Sequence, residues 1–204
     1  MAIPVVAYYT KDTPYAQDAA VLKQSLDCLD IPHHLVAVDD LGSWQANTQQ
    51  KATFIRDFMN LHQEIERFVY IDVDAFVIHP LTYFEMLASV THFAATTYWG
   101  GELLSGTMYM RNSQWMRDVV DRWCEINEAY PETLPDGREA WDQRTLLMAI
   151  NEAGGVKGGQ AFLEVPHEYC WIIGMTSRQA PGLDPVVVHT RGHYRANMRA
   201  GGRA

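Results

Sequence analysis

The chain has 204 residues, a length that is typical of a single α/β domain. Hydrophobic residues make up 48% of it and charged residues 20%, a balance that supports a buried core and excludes an intrinsically disordered chain. The formal net charge of −9 argues against nonspecific electrostatic binding to nucleic acid or to an anionic membrane surface.

The first 40 residues predict a strand, a helix and a second strand. Ile3–Tyr9 is a β-type run, Tyr15–Leu29 has the apolar spacing of a helix, and His34–Val38 is again β-type. This order opens a parallel, Rossmann-like sheet, in which ligands bind beyond the carboxyl ends of the strands. No G-x-G-x-x-G follows the first strand, so the pattern does not favour a dinucleotide cofactor.

The next segment contains a lysine of interest. Leu41–Gln50 is polar and predicts a loop, and Lys51–Leu61 predicts a helix with Lys51 near its start. A lysine at that end opposes the helix dipole, and a phosphate or carboxylate partner would relieve the cost. Position alone also fits an ordinary solvated lysine.

Two acids follow the most apolar stretch of the chain. Phe68–Ile71 predicts a strand buried on both faces, and Asp72 and Asp74 come directly after it. Two carboxylates at a strand end suit Mg²⁺ or Mn²⁺, which take oxygen ligands and often bridge them to phosphates. Solvated acids at a strand end are the alternative, which this short motif does not exclude by itself.

The rest of the chain continues the α/β alternation. The further predicted elements are a helix from Pro80-Leu81 to about Leu87, a strand at Phe93–Thr97, a loop at Tyr98–Glu102, a strand at Thr107–Met110, a helix capped by Asn112 or Ser113, a loop at Tyr130–Glu139, a helix that begins near Trp141, and strands near Phe162–Val165 and Val186–Val188. We therefore predict one α/β domain over residues 1–195, with a mostly parallel central sheet flanked by helices, and a flexible C-terminal tail over residues 196–204.

Cysteine usage and hydropathy indicate the compartment. Cys28, Cys124 and Cys170 lie far apart and form no C-x-x-C pair, which fits a reduced cytosolic protein better than a disulfide framework or a zinc site. The sequence has neither a signal-peptide pattern at its start nor an apolar run of transmembrane length. We therefore expect a cytoplasmic protein.

These motifs together resemble the metal-dependent glycosyltransferases of the GT-A fold, which use nucleotide sugars. The stretches that carry the resemblance are Tyr9-Thr10 at the end of the first strand, Asp72-Val73-Asp74, Ser105-Gly106-Thr107-Met108, Trp141-Asp142-Gln143 and Val188-His189. Their order is most similar to the retaining group typified by lipopolysaccharide galactosyltransferases and glycogenin. The resemblance implies a single GT-A (Rossmann-like) domain.

The resemblance also implies a metal site. Asp72 and Asp74 would bind a divalent cation, with Asp72 also near the ribose, and His189 would complete the protein ligands. Imidazole suits Mn²⁺ better than Mg²⁺, so Mn²⁺ is expected, with Mg²⁺ as the alternative. A metal held by carboxylates neutralises the charge that develops on a departing nucleoside diphosphate.

The remaining site residues follow in the same way. Asp142 would hold hydroxyls of the donor sugar, and the Gln143 carbonyl would lie behind the anomeric carbon. The family often has an acid at the next position, where this chain has Arg144. Retention is expected; an inverting enzyme would need a carboxylate base beside the acceptor, for which Glu102 is the candidate.

A nucleotide pocket is expected at the ends of the first two strands. The candidates for contacts to a uracil-like base, to the sugar or to the diphosphate are Tyr8, Tyr9, Thr10, Asp39, Lys51 and Arg191. The expected donor is therefore a UDP-hexose. The acceptor is expected to be a saccharide or a glycolipid; a modified base in DNA is an alternative, which the C-terminal arginines leave open.

Two other functions fit parts of the pattern. A haloacid-dehalogenase-type phosphatase also uses Asp-x-Asp after an apolar strand, with the first Asp as nucleophile. That motif normally lies on the first strand, however, and here Phe76 stands where Thr or Val is usual. A module that binds a sugar nucleotide without turnover is the non-enzyme alternative.

Overall fold

The computed structural model describes residues 2–87, 91–98, 101–154, 162–180 and 182–190. Its strands are β1 (Val5–Thr10), β2 (His33–Val38), β3 (Arg67–Ile71), β4 (Ala75–Val77), β5 (Phe93–Tyr98), β6 (Glu102–Arg111), β7 (Phe162–Glu164), β8 (Trp171–Ile172) and β9 (Val187–His189). Its helices are α1 (Tyr15–Cys28), α2 (Trp44–Leu61), α3 (Thr82–Glu85), α4 (Gln114–Ala129), α5 (Asp142–Glu152) and α6 (Thr176–Gln179). A 3₁₀ turn spans His167–Cys170.

The central sheet has six strands in the order β2-β1-β3-β6-β5-β7. β1 pairs in parallel with β2 and β3, and β5 pairs in parallel with β7. β6 runs antiparallel to both of its neighbours, β3 and β5. The predicted α/β fold with a mostly parallel central sheet is therefore confirmed.

A second, smaller sheet lies beyond the acids. It has three strands in the order β4-β9-β8, with β4 antiparallel to β9 and β8 parallel to it. The apolar residues that follow Asp74 thus form β4, a strand that the sequence pattern did not predict. Because β4 pairs Ala75 with His189, this sheet joins the acids after β3 to the end of β9.

Side-chain alternation along β1 and β3 explains why their sequences are continuously apolar. Val6, Tyr8, Phe68 and Tyr70 lie in one core cluster, together with residues of α2, α4 and α5. Their neighbours along the same two strands lie in a second cluster, which includes α1 and the smaller sheet. Both faces of these central strands are therefore covered, as in other α/β sheets.

The prediction for residues 41–61 was wrong in one respect. Leu41–Gln50 is not a loop throughout, because α2 already begins at Trp44, with the Ser43 hydroxyl accepting a hydrogen bond from the Ala46 N–H. Lys51 therefore lies about two turns inside α2 and does not oppose its dipole. Residues 45–50 are polar except for Ala46, so they show no apolar helical spacing.

The other boundaries differ less from the predicted ones. β6 is longer than the predicted strand Thr107–Met110, so Glu102 lies at the start of a strand and Tyr98 at the end of β5. The predicted cap Ser113 is confirmed, since its hydroxyl accepts from the Met116 N–H. In the described part of the chain, no helix is long and apolar enough to cross a membrane. The predicted tail at 196–204 lies outside the described residues.

Candidate active site

The strand period brings Asp72 to the same face as Tyr70. Successive side chains of a strand alternate between its faces, so Phe68, Tyr70 and Asp72 follow one another on the side that faces α2. The Tyr70 hydroxyl donates a hydrogen bond of 2.8 Å to Oδ1 of Asp72. The Asp72 N–H donates to the Gly106 carbonyl at 2.8 Å, so that Asp72 is tied to β6.

Lys51 reaches from α2 between two acids. Its Nζ lies 3.0 Å from Oδ1 of Asp72 and 2.6 Å from Oδ2 of Asp142, and its side chain is only 3% exposed. It also donates to the carbonyl and the hydroxyl of Ser105 and lies 5.0 Å from the centre of the Tyr70 ring. Lys51, which the sequence pattern placed near the start of a helix, is thus the central cation of a largely buried cluster.

The charges in this cluster perturb one another. Burial opposes the charge of Lys51, but attraction to Asp142 and Asp72 outweighs it, so the pKa of Lys51 is raised and the ammonium persists. Burial also raises the pKa of Asp72; Lys51 counters that rise, and repulsion from Asp74 adds to it. The Lys51 ammonium lies between two carboxylates. An anionic ligand would bind beside it favourably only if that ligand accepted a hydrogen bond from the ammonium.

Asp142 is the first residue of α5, but it does not act as the helix cap. The cap position is Trp141, which makes no side-chain capping bond, and Oδ2 of Asp142 instead accepts a hydrogen bond of 2.7 Å from the Ser105 hydroxyl. The Ser105 contact and the Lys51 ion pair direct this carboxylate toward Asp72. The fold therefore brings Asp72 and Asp142, which are 70 positions apart in the sequence, to the same lysine.

Asp74 and His189 lie together at the junction of β4 and β9. The Asp74 carbonyl accepts hydrogen bonds from the N–H and the hydroxyl of Thr190, at 2.9 and 2.8 Å. Oδ1 of Asp74 lies 3.4 Å from Nδ1 of His189, and Nε2 of His189 lies 2.8 Å from the Thr107 hydroxyl. The imidazole is buried, with the side chain 6% exposed.

The surroundings of His189 favour its protonated form. Burial lowers the pKa of His189, but its interactions with Cys170 and Asp74 more than offset this and raise it to about 10. Gly106 faces the ring at short range, because a Cβ built on it would lie 2.9 Å from Cε1 of His189. The glycine of the predicted Ser105-Gly106 motif thus leaves room for the imidazole.

The metal prediction stays a prediction. Among the described residues, no group of three or more His, Cys, Asp and Glu side chains has the arrangement of a metal site. Asp74 and His189 are adjacent, whereas the Asp72 carboxylate is engaged by Lys51 and Tyr70.

The predicted nucleotide residues occupy different environments. The Tyr8 ring is buried against Phe54 and Tyr70, and its hydroxyl donates to the Asn47 carbonyl at 2.6 Å, so this ring is part of the core. Tyr9 is half-buried and Thr10 is buried at the end of β1.

Two nucleotide candidates remain, Asp39 and Arg191. Asp39 lies on the surface after β2, where it forms an ion pair with Lys11. Arg191 lies outside the described residues.

Gln143 and its neighbours lie at the rim of the cluster. Gln143 is half-buried in the first turn of α5. Arg144 stacks on the Trp141 ring at 4.3 Å, and its Nε donates to Oε1 of Glu102 at 3.2 Å. The carboxylate that we named as the base of an inverting reaction is therefore ion-paired with the arginine that replaces the family's acid.

Two aromatic residues beside the acids were not predicted from the sequence. Burial raises the pKa of the hydroxyl of Tyr15, the first residue of α1, and the charges of Asp74 and Asp72 add to this rise. The Trp44 indole hydrogen-bonds with Tyr15 and packs edge-on against Trp141 at 6.2 Å between ring centres. Their positions, at the start of the helix that follows β1 and at the start of the helix that follows β2, were the available signal, since ligands bind beyond the carboxyl edge of such sheets.

Comparison with known proteins adds structural similarity only. No protein-family profile matches the sequence, and no curated protein matches it significantly. A glycosyltransferase involved in the glycosylation of the major capsid of PBCV-1 superposes with a TM-score of 0.73 at 14% identity, over 99% of this chain and 98% of that one. The galactosyltransferase LgtC, solved with donor and acceptor sugar analogues, superposes with a TM-score of 0.61 at 15% identity, over 93% and 87%.

A third similar structure is the glycosyltransferase GlyE of Streptococcus pneumoniae TIGR4. It superposes with a TM-score of 0.63 at 16% identity, over 93% of this chain and 54% of GlyE, so this chain spans about half of that protein. At these identities the similarity establishes the fold. The chain therefore has the fold of these glycosyltransferases, as the sequence motifs implied.

Proposed function

We propose that the protein is a glycosyltransferase that moves a hexose from a nucleoside-diphosphate sugar, with UDP as the expected nucleotide, to an acceptor hydroxyl. The observation that carries the proposal is the convergence of Lys51, Asp72 and Asp142 at the carboxyl edge of the sheet, with Asp74 and His189 beside them. It occurs in a fold that the solved glycosyltransferases share. Fold alone would not support an activity.

The residues present fit a divalent cation. Asp74 and His189 offer an oxygen and a nitrogen donor 3.4 Å apart, and Asp72 is near enough for its pKa to respond to both. Asp72, Asp74 and His189 would hold Mn²⁺, or Mg²⁺ in its place. When bound, the cation would supply Lewis-acid stabilisation of the diphosphate leaving group.

The chain's own residues have distinct roles in this proposal. Lys51 holds the Asp142 carboxylate in place and offers a positive charge beside Asp72, where negative charge accumulates on the leaving diphosphate. Asp142 accepts hydrogen bonds from hydroxyls of the donor sugar. The Gln143 side-chain carbonyl lies behind the anomeric carbon and stabilises an oxocarbenium-like state, which favours retention.

The nucleotide contacts are proposed at the neighbouring strand ends. Tyr9 and Thr10 at the end of β1 would contact the base, with Tyr8 supporting them from the core. Asp39 and Arg191 remain candidates for contacts to the ribose and to the diphosphate.

The acceptor of the proposed reaction is a saccharide or a glycolipid, with a modified DNA base as the alternative. Trp44 is 48% exposed and packs against Trp141. These two rings offer aromatic surface at the rim of the site, on which a sugar ring could stack. The proposed location of the protein is the cytoplasm, where nucleotide sugars are available to it.

Incubation of the purified protein with a panel of nucleotide sugars and Mn²⁺ tests the proposed function. We expect release of the nucleoside diphosphate from one donor, faster when a saccharide acceptor is added. Asp142→Asn keeps nucleotide binding and loses turnover. Metal-dependent binding of UDP without release by the wild type would instead support the non-catalytic binding module. Hydrolysis of a phosphomonoester without use of any donor would support the phosphatase.

A further inference from the structure

We propose that Trp123 and Thr145 are positioning residues that hold the first turn of α5 and thereby set where the Asp142 carboxylate lies. Trp123 belongs to α4, and Thr145 lies one turn into α5. The inference rests on the proposed function, because it gives these two residues a part in presenting Asp142 and Gln143 to the donor sugar. Both side chains are fully buried, with 0% of each residue exposed, so neither would touch a substrate.

The first turn of α5 begins without a side-chain cap. Its cap residue, Trp141, makes no capping hydrogen bond, whereas the Ser113 hydroxyl caps α4. The carboxylate of Asp142 does not cap the helix either, since its Oδ2 is held by the Ser105 hydroxyl and by Lys51. The position of this turn therefore depends on contacts that other parts of the chain make with it.

Two hydrogen bonds in series supply such a contact. The Trp123 Nε1–H donates to the Thr145 hydroxyl at 2.9 Å. The same hydroxyl lies 3.1 Å from the Asp142 carbonyl and 3.4 Å from the Trp141 carbonyl, one turn back along α5. An indole N–H only donates and a carbonyl only accepts, so the Thr145 oxygen accepts from Trp123 and its single proton goes to this turn. The directions of both hydrogen bonds are therefore fixed.

Burial makes these hydrogen bonds hard to replace. Trp123 lies in the core cluster that α2, α4 and α5 form, together with Val120 of α4 and Leu146 of α5. Bulk water does not reach either partner, and a buried donor without an acceptor is costly. The bond from Trp123 to Thr145 therefore fixes the start of α5 relative to α4, and with it the backbone of Asp142.

A second tryptophan of α4 makes the same kind of bond at the opposite end of α5. The Trp115 Nε1–H donates to the Ala153 carbonyl at 3.2 Å, and Ala153 follows the last residue of α5. Of these two bonds, the one from Trp123 reaches the turn that carries Asp142. Trp115→Phe is therefore a matched control, because it removes an indole N–H between the same two helices but far from the candidate site.

Three variants break or keep the bond. Thr145→Val keeps the shape of the side chain and removes the hydroxyl, Trp123→Phe removes the N–H on the other side, and Thr145→Ser keeps the hydroxyl. Crystal structures give the distance from Nζ of Lys51 to Oδ2 of Asp142, which is 2.6 Å here. Rates of nucleoside diphosphate release, with Mn²⁺ and the donor that the wild type uses, give kcat and the donor KM. Chemical denaturation reports on folding.

We expect Thr145→Val and Trp123→Phe to displace the Asp142 carboxylate by about 1 Å and to lower kcat by about 100-fold, since a misplacement of that size has such an effect on rate. The donor KM should change much less. Thr145→Ser and Trp115→Phe should retain the position of the carboxylate and kcat, even where they lower stability. If the unpaired N–H prevents Thr145→Val from folding, the double variant Trp123→Phe/Thr145→Val, which lacks both polar partners, takes its place.

Three results would overturn the inference. These are an unmoved Asp142 carboxylate in Thr145→Val and Trp123→Phe, an unchanged kcat in those variants, and a loss of kcat in Trp115→Phe as large as theirs. If the wild type releases nucleotide from no donor, the proposed function fails instead. The crystal structures then still decide whether Trp123 and Thr145 position Asp142.

Discussion

Nζ of Lys51 lies 2.6 Å from Oδ2 of Asp142, inside the protein and at the centre of the candidate site. The lysine comes from the interior of α2 and the aspartate from the first residue of α5. Asp72 and Ser105 contact the same ammonium, so four segments of the chain meet at one charge. This relationship determines what a substitution at Lys51 does.

Lys51→Met should be strongly destabilising. It removes the cation that separates the buried carboxylate of Asp142 from the half-buried carboxylate of Asp72, and breaking a buried pair such as Lys51–Asp142 costs about 3–5 kcal/mol. Chemical denaturation at pH 7 measures the loss, which should shrink at acid pH, where the carboxylates are protonated. Lys23→Met, which removes an exposed ion pair with Asp27, is the control and should leave the unfolding midpoint unchanged. Equal stability of the two variants would contradict the buried cluster.

Gly106→Ala should displace the His189 ring. The added Cβ would lie 2.9 Å from Cε1, closer than such atoms approach, and the ring is buried and cannot swing into solvent. We expect weaker Mn²⁺ binding and lower stability. A double-mutant cycle with His189→Ala checks the cause, because the cost of the Cβ should largely disappear once the ring is gone. Additive effects would mean that Gly106 acts elsewhere.

Stability should fall as the pH rises through the weakly alkaline range. The pKa of His189 is raised to about 10, from an ordinary value of 6.5, by its partners Cys170 and Asp74, which outweigh burial. A raised histidine pKa contributes stability that is fully present below pH 6.5 and is lost as the pH rises toward 10. Linkage gives a loss of roughly 2 kcal/mol between pH 7 and 9. Denaturation of metal-free protein at these pH values measures it, and His189→Gln should flatten the dependence.

Arg144→Ala should loosen the segment before α5 with little effect on global stability. Arg144 stacks on Trp141 and donates to Glu102 and to the Glu139 carbonyl, so it connects β6 to the end of the 130–139 segment. Hydrogen exchange of amides in residues 130–141 should become faster. Arg144→Lys should not restore protection, because an ammonium cannot reproduce the planar stack and the fork of donors. Unchanged exchange in Arg144→Ala would contradict this role.

The sequence predicted the elements whose patterns are local. The strand before Asp72 and the helix after Ser113 follow from apolar periodicity and from a capping hydroxyl. The start of α2 was not predicted because residues 45–50 are polar except for Ala46. Several of these side chains bind other segments: Gln45 and Gln49 donate to the backbone of residues 130–140, contacts that no periodicity reveals.

The motifs predicted which residues lie close together, while their roles stay predictions; contacts made only in the tertiary structure were not predicted. Asp72, Asp74, Asp142 and His189 stand in short motifs, and the fold brings them to one edge of the sheet. The buried position of Lys51 depends on Asp142 and Ser105, which are far from it in the sequence. Tyr8 was expected to meet a base, but its apolar strand neighbours draw its ring into the core.

Calorimetric titration of UDP, with and without Mn²⁺, tests the central claim most directly, in the wild type and in Asp74→Asn. Asp184→Asn, at an exposed acid paired with His79, is the control for loss of one carboxylate. We predict UDP binding that depends on Mn²⁺ in the wild type and in the control, and that is lost in Asp74→Asn. Equal UDP binding by Asp74→Asn and the wild type, or wild-type binding that ignores Mn²⁺, would contradict the proposed sugar-nucleotide site.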